Sequence, residues 1–331
     1  MSNFSGSNGS LFVTQKAAYL LTDFRYILEA RSIVPRGISV IDYGRKGFEK
    51  IWKDLLKKHR VKRIGYEADA LTCRQYKKIT SYQKSIFYTD LGDAVSALRM
   101  QKESVELAHI TRAQNITDNI FSALKKKVRG GMSEKEIAWL IEELARAFGA
   151  DDISFEPIVA FNEHSAEPHH HCTDRKLKKG NLILLDFGVR YKGYCSDMTR
   201  MLFSKKPTKK ERRVYETVLH AQESARAQLR AGVHGDAIDT TARDIIDRAG
   251  FKGRFGHSLG HGVGLDVHEL PNLSAYYKGI IPEKSVVTIE PGIYLDGEFG
   301  VRIEDMDVVE KNGTRVLTRS PTRIEDCTVI L

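Results

Sequence analysis

The chain has little cysteine, four residues in 331 (Cys73, Cys172, Cys195 and Cys327), and no two of them form a C-x-x-C pair. That scatter argues against a disulfide framework or a thiolate zinc module, and for reduced thiols in a cytoplasmic protein. No apolar run reaches the roughly 18 residues needed to span a bilayer, so no membrane helix and no membrane partner are expected. The opening MSNFSGSNGSLFVT lacks the basic start and apolar stretch of a secretory signal. An acidic excess is also missing: 52 Lys and Arg against 43 Asp and Glu give a net charge of +9. The lysine clusters at 125–127, 176–179 and 205–210 have no aromatics interleaved, so they read as solvated faces and no nucleic-acid partner is expected.

What is present is ordinary globular composition, 41% hydrophobic and 29% charged, in a chain long enough for two domains. Residues 1–97 read as a small α/β unit. Short apolar strands are expected at 11–13, 17–21, 38–41, 62–66 and 85–88, with helices at 23–31, 47–59 and 71–83. Residues 98–331 form a larger unit. A helix over 101–129 ends at Gly130-Gly131, and the capping box Ser133-Glu134-Lys135-Glu136 opens a second helix to residue 148. A strand over 153–161 and a polar loop over 162–179 follow. Helices over 209–230 and 236–249 then repeat the order, ahead of a Gly- and His-rich segment at 253–268. The two pairs of helices imply a duplicated supersecondary unit.

Each half closes on an acidic hairpin. In NLILLDFGVRYKGYCSDMTRMLF (181–203), a turn centred between Tyr191 and Lys192 sets Asp186 opposite Asp197. In SVVTIEPGIYLDGEFGVRIEDMDVV (285–309), a turn centred on Gly297 sets Glu290 opposite Glu304. Directly opposed carboxylates lie roughly 5 Å apart and repel by about 3 kcal/mol at an effective dielectric near 20. Apolar surroundings would not keep such a pair for stability, so either one acid is protonated or a cation lies between them, and two pairs of matching architecture argue for metal. Four carboxylates exceed what one ion needs, and two divalent ions balance them. His261 lies in FGHSLGHGVGLDVHELP, where Gly256, Gly260, Gly262 and Gly264 permit close backbone approach. Four carboxylates with one imidazole favour harder ions, Mn²⁺, Co²⁺ or Fe²⁺, over a structural zinc site.

The blocks Pro168-His169, LLDFGVRYKGYCSDMTR, GHSLGHGVGLDVHELP, TIEPGIYL and GVRIED resemble those of the pita-bread metallopeptidases, which include methionine aminopeptidase, aminopeptidase P, prolidase and creatinase. The resemblance implies an α+β fold, with a pita-bread catalytic domain of two pseudo-symmetric ααββ halves. It implies two divalent ions, Mn²⁺ first and Co²⁺, Fe²⁺ or Zn²⁺ as substitutes, held by Asp186, Asp197, His261, Glu290 and Glu304, with Asp197 and Glu304 bridging. Between the ions a hydroxide attacks the scissile carbonyl. Glu290 is the implied general base, His169 and His268 touch substrate and steady the tetrahedral intermediate, and Arg302 binds substrate or orients a carboxylate. His170, His171 and Cys172 fall outside the pattern and read as exposed loop residues.

The stretch FSGSNGSLFVT…AYLLTDFRYILEA resembles a creatinase-type N-terminal domain, here without the helix and strand that usually precede it. That domain points to the proline-directed branch: an Xaa-Pro dipeptidase or aminopeptidase acting on peptides with proline at the second position, expected as a homodimer. Asn272 stands where many prolidases carry an arginine for the dipeptide carboxylate, so longer Xaa-Pro peptides become possible substrates. Methionine aminopeptidase-like activity, a metal-independent creatinase-like hydrolase and a non-catalytic binding module on the same fold are the alternatives. The five intact ligand positions weigh against the last two.

Overall fold

The computed structural model describes residues 2–329, and the chain divides into two compact units, Met1–Val95 and Ser96–Leu331. In the first unit β1 (Gly9–Val13) pairs antiparallel with β2 (Ala18–Thr22), which pairs parallel with β3 (Ile38–Asp42). Helices α1 (Ile27–Ile33) and α2 (Phe48–Lys58) flank β3 in sequence. The apolar stripe of α2, Trp52, Leu55 and Leu56, is buried with Phe12, Tyr19 and Leu21, the outcome its helical periodicity demands. A parallel pair, β4 (Arg63–Tyr66) and β5 (Phe87–Asp90), encloses α3 (Cys73–Tyr82) in sequence. The division between the units falls inside α4 (Ala94–Met100).

In the second unit α5 (Ser104–Lys127) stops before Gly130, with Val128 already extended and Gly131 taking the positive φ of 87°. The Ser133/Glu136 capping box opens α6 (Glu134–Ala147) as predicted. The single strand expected over 153–161 is two pieces, β6 (Asp152–Ile153) and β7 (Ile158–Phe161), which pair in different sheets. Pro157, without an N–H, stands in the break. β7 joins β8 (Leu182–Asp186) and β11 (Thr199–Phe203), while β6 joins β9 (Val189–Tyr191) and β10 (Tyr194–Cys195). The apolar faces of α5 and α6 share one core with these strands, centred on Ile116, Ile120, Ile141 and Leu185.

The second half repeats the plan. Helices α7 (Lys209–Gln228) and α8 (Gly235–Ile246) bury Val214, Val218, Ile238 and Ala242 against Val287, Ile289 and Val301. A five-stranded sheet runs β13 (Glu269–Leu273), β12 (Gly260–Gly262), β14 (Val286–Ile289), β17 (Asp305–Glu310), β18 (Gly313–Val316). The antiparallel pair β15 (Gly292–Leu295) and β16 (Phe299–Arg302) completes the second hairpin.

Candidate metal centre

The second hairpin has the predicted register. Ile289 faces Asp305 and Gly292 faces Arg302, which leaves Glu290 and Glu304 opposed between the two ladders. The first hairpin is shifted by one position at the turn. Lys192 and Gly193, with φ of 48° and 84°, are the central residues, and Tyr191 faces Tyr194. Both positive φ values suit the tight turn that twisted strands require, but a lysine does not advertise that conformation. Asp186 therefore faces Thr199 rather than Asp197. Asp197, two residues before Thr199, lies diagonally across on the same face of the ribbon.

The shift does not separate the acids. Asp186, Asp197, His261, Glu290 and Glu304 line one cavity of about 570 Å³, together with His169, His268, Asn272 and Arg302. Ligand atoms of Asp197, His261 and Glu304 lie within 4.8 Å of one another. The other two acids border this trio and meet positive partners: Asp186 Oδ2 accepts from Arg302 Nη2 at 2.5 Å, and Glu290 Oε1 is 3.2 Å from His261 Nε2. His261 is carried by β12, where a Cβ on Gly260 would stand 2.0 Å from the Thr288 carbonyl and one on Gly262 2.4 Å from that of Leu270. Only glycine permits that approach. Gly256, also expected to do so, has open space around it.

Electrostatics here are unbalanced toward negative charge. Burial, then Asp186 and Glu290, pushes the Asp197 carboxyl well up, and burial followed by Asp197 and Glu290 does the same to Glu304. Burial also raises Asp186, although Arg302 pulls it down. Burial acts against the charged forms of His261 and Glu290 as well, but their mutual attraction wins, raising the imidazole to about 9 and lowering the carboxyl to about 2. Two buried oxygens, Asp186 Oδ1 and Asp197 Oδ1, have no hydrogen-bond partner. Buried carboxylate oxygens normally do, and an oxygen-rich set with one imidazole suits hard divalent cations. The residues fit such ions.

Residues 108–311 match the profile of metallopeptidase family M24, and residues 1–101 that of the creatinase/prolidase N-terminal domain. The chain belongs to metallopeptidase family M24. Over 324 residues it is 36% identical to an uncharacterized peptidase of Bacillus subtilis, covering 98% of this chain and 91% of the relative. The structure of an X-Pro aminopeptidase from Thermotoga maritima superposes with a TM-score of 0.91 at 34% identity, covering 100% of this chain and 92% of that one. An Xaa-Pro dipeptidase from Bacillus anthracis gives 0.93 at 34% identity, covering 100% and 91%. The M24 unit has the predicted pita-bread architecture behind a creatinase-type unit.

Several residues around this cavity, partners of Arg302 and Glu304, escaped the sequence reading. Arg302 donates from Nη1 to Tyr294 Oη at 2.8 Å and to the Pro168 carbonyl at 3.3 Å, and from Nε to Thr199 Oγ1 at 3.0 Å. Tyr294 Oη lies 2.8 Å from His257 Nε2, and His257 Nδ1 lies 2.8 Å from the Ser258 carbonyl. A carbonyl only accepts, so the ring proton sits on Nδ1 and Nε2 accepts from the tyrosine. Burial holds His257 below its ordinary value, in keeping with a neutral ring. Thr199 gives its hydroxyl to Glu304 Oε2 at 2.8 Å. Thr199 and Tyr294 stand inside the quoted blocks, and His257 precedes His261 by four residues, but nothing local marks their partners. His170, expected to be exposed, is 6% exposed and bonded on both ring nitrogens. His171 is exposed, and Cys172 is half-buried, with its sulfur 3.3 Å from the Val159 N–H.

Proposed function

We propose that this chain is a divalent-metal-dependent exopeptidase that cleaves the bond before proline, acting on peptides with proline at the second position. The observation that carries the reading is the pair of partnerless buried oxygens, Asp186 Oδ1 and Asp197 Oδ1, in a cavity shared with His261, Glu290 and Glu304. These five residues would hold two ions. Mn²⁺ is the ion we favour, with Co²⁺, Fe²⁺ and Zn²⁺ as substitutes. Bound there, the ions would acidify a water and polarise the scissile carbonyl.

The chain's own groups supply the rest. Glu290 stands at the cavity wall and is the carboxylate we assign as general base for the attacking water. His169 and His268 line the same cavity and contact the substrate's backbone and the oxygen that gains charge. Burial and the neighbouring His261 hold His268 below its ordinary value, which leaves it neutral and able to donate one hydrogen bond. Arg302 reaches both Asp186 and the carbonyl of Pro168, so it orients an acid and the His169 segment together. Asn272 lines the cavity without a charge to hold a dipeptide's terminal carboxylate, which favours peptides longer than two residues as co-substrates.

A homodimer in the cytoplasm completes the proposal. The four free cysteines suit the reducing compartment, and the dimer is carried over from the resemblance. The test is a panel of Ala-Pro, Met-Pro, Ala-Pro-Ala and Met-Ala-Ala with each metal. Hydrolysis of the three proline peptides with Mn²⁺, abolished in Asp197→Asn, is the expected result. A metal-replete protein that leaves all three intact overturns the reading, and cleavage of Met-Ala-Ala alone would reassign it to methionine release.

A further inference from the structure

Outside the acidic cluster, a second group of metal-competent side chains converges: Glu134, His164 and His170, with ligand atoms within 4.8 Å of one another. Glu134 opens α6, and the two histidines come from the loop that also carries His169. His164 Nδ1 lies 2.8 Å from Glu134 Oε1, and His170 Nε2 lies 3.0 Å from Glu134 Oε2. The two imidazole rings face each other at 4.4 Å between centroids, 33° from parallel. The carboxylate is buried, and its outer lone pairs accept from the backbone N–H of Phe161 and from the N–H and hydroxyl of Thr173. Burial pushes this carboxyl up, but the bonds from Thr173 and His170 outweigh it and hold Glu134 below its ordinary range, as an anion.

His170 makes the case for a cation. Its Nδ1 lies 2.9 Å from Glu167 Oε2 while Nε2 meets Glu134, so a buried ring has carboxylates at both nitrogens. A neutral imidazole has only one N–H, so one of the two contacts needs another positive partner, either a second proton or a metal ion. A metal at Nε2, with Nδ1–H given to a carboxylate, is the arrangement that orients metal-bound histidines generally. Two imidazoles and one carboxylate form a nitrogen-rich set, the reverse of the acidic cluster, and prefer borderline ions to Mn²⁺.

We propose that Glu134, His164 and His170 bind one divalent ion of the Zn²⁺ class, which staples the loop carrying His169 to the start of α6. The ion takes the place of the hydrogen between each imidazole and Glu134: a neutral ring shifts that proton to its other nitrogen, and a doubly protonated ring gives one proton to solvent. The site stands apart from the peptidase reading and does not depend on it.

The test is chelator-stripped full-length protein titrated with Zn²⁺ and with Mn²⁺ against a chromophoric competitor, in wild type, Asp197→Asn, His164→Gln and the double variant. One Zn²⁺ equivalent that survives Asp197→Asn and weakens at least tenfold when His164→Gln is added is expected, with Mn²⁺ uptake unaffected by His164→Gln. Identical Zn²⁺ stoichiometry and affinity with and without His164→Gln overturns the proposal and leaves the three side chains a hydrogen-bonded clamp only. X-ray absorption on Zn²⁺-loaded Asp197→Asn gives a reading that needs no loop variant: two imidazole ligands support the site, and their absence rejects it. Failure of Asp197→Asn to alter Mn²⁺ uptake would count against the acidic centre, not against this one.

Discussion

Thr199 donates its hydroxyl to Glu304 Oε2 at 2.8 Å and accepts from Arg302 Nε at 3.0 Å, so one side chain of the first hairpin joins two functional groups of the second. Because Thr199 also faces Asp186 across its own ribbon, three charged groups of the site are positioned around a neutral hydroxyl.

Replacing Thr199 by valine keeps the shape and removes both bonds. A buried guanidinium N–H and a carboxylate oxygen are then left short of a partner, at a cost of about 1–3 kcal/mol. Metal affinity and kcat are expected to fall roughly 10- to 100-fold, and Thr199→Ser should restore most of each. Chelator-competition titration and steady-state rates on Ala-Pro check this. Equal metal affinity in Thr199→Val and wild type would show that the hydroxyl does not orient Glu304.

Arg200 is the second tie between the hairpins. Its guanidinium is fully buried, meets Asp305 Oδ1 at 2.5 Å, and donates to the carbonyls of Thr199 at 2.9 Å, Glu304 at 2.5 Å and Ser320 at 2.8 Å. Arg200→Met leaves Asp305 with Arg226 alone and removes the guanidinium donor from the carbonyls of Glu304 and Ser320, while that of Thr199 keeps the Glu304 N–H. A loss of about 3–5 kcal/mol is expected from breaking a buried pair on one side. Urea unfolding followed by the second unit's fluorescence measures it, and a change below 1 kcal/mol would mean water replaces the guanidinium readily.

The chain Arg302 to Tyr294 to His257 holds only while His257 is neutral. Its native pKa lies below the ordinary 6.5, because burial disfavours the imidazolium. As pH falls the unfolded chain takes the proton first, so this contribution is complete above about 6.5 and is lost as pH drops through the native value. In His257→Gln that share of the pH dependence should vanish, and the gap in thermal midpoint between wild type and variant should narrow from about pH 7.5 to about pH 5.5. Parallel curves at all pH values would refute the assignment of a neutral ring.

Asn272→Arg would place a guanidinium on the cavity wall where a dipeptide's carboxylate ends. A charge-assisted pair gives about 1.5–3 kcal/mol, so kcat/KM for Ala-Pro should rise about 10- to 150-fold relative to Ala-Pro-Ala. An unchanged ratio would place the substrate's C-terminus elsewhere.

The residues of the site were legible because they sit in short local patterns. Gly297 marks the second turn, and its register followed correctly from the chain alone. Capping residues at Ser133 and apolar periodicity located the paired helices, whose burial depends on neighbours three and four residues apart. The first turn lies one position later than its sequence predicts, because Lys192 adopts a positive φ that its side chain does not announce. His170 is buried although its sequence reads as exposed loop, because nothing near it in the chain reveals the buried carboxylate of Glu134.

Sequence alone therefore determined the family's architecture, two helix-and-hairpin halves, and the acids and imidazole that gather in the cleft. The folded molecule decided which of those acids meet a cationic side chain, that Thr199 and not Asp197 faces Asp186, and that Arg200 and Arg302 lock one hairpin to the other. The reason is distance along the chain. Thr199 and Glu304 are 105 positions apart, and a hydrogen bond between them leaves no periodic trace in either segment.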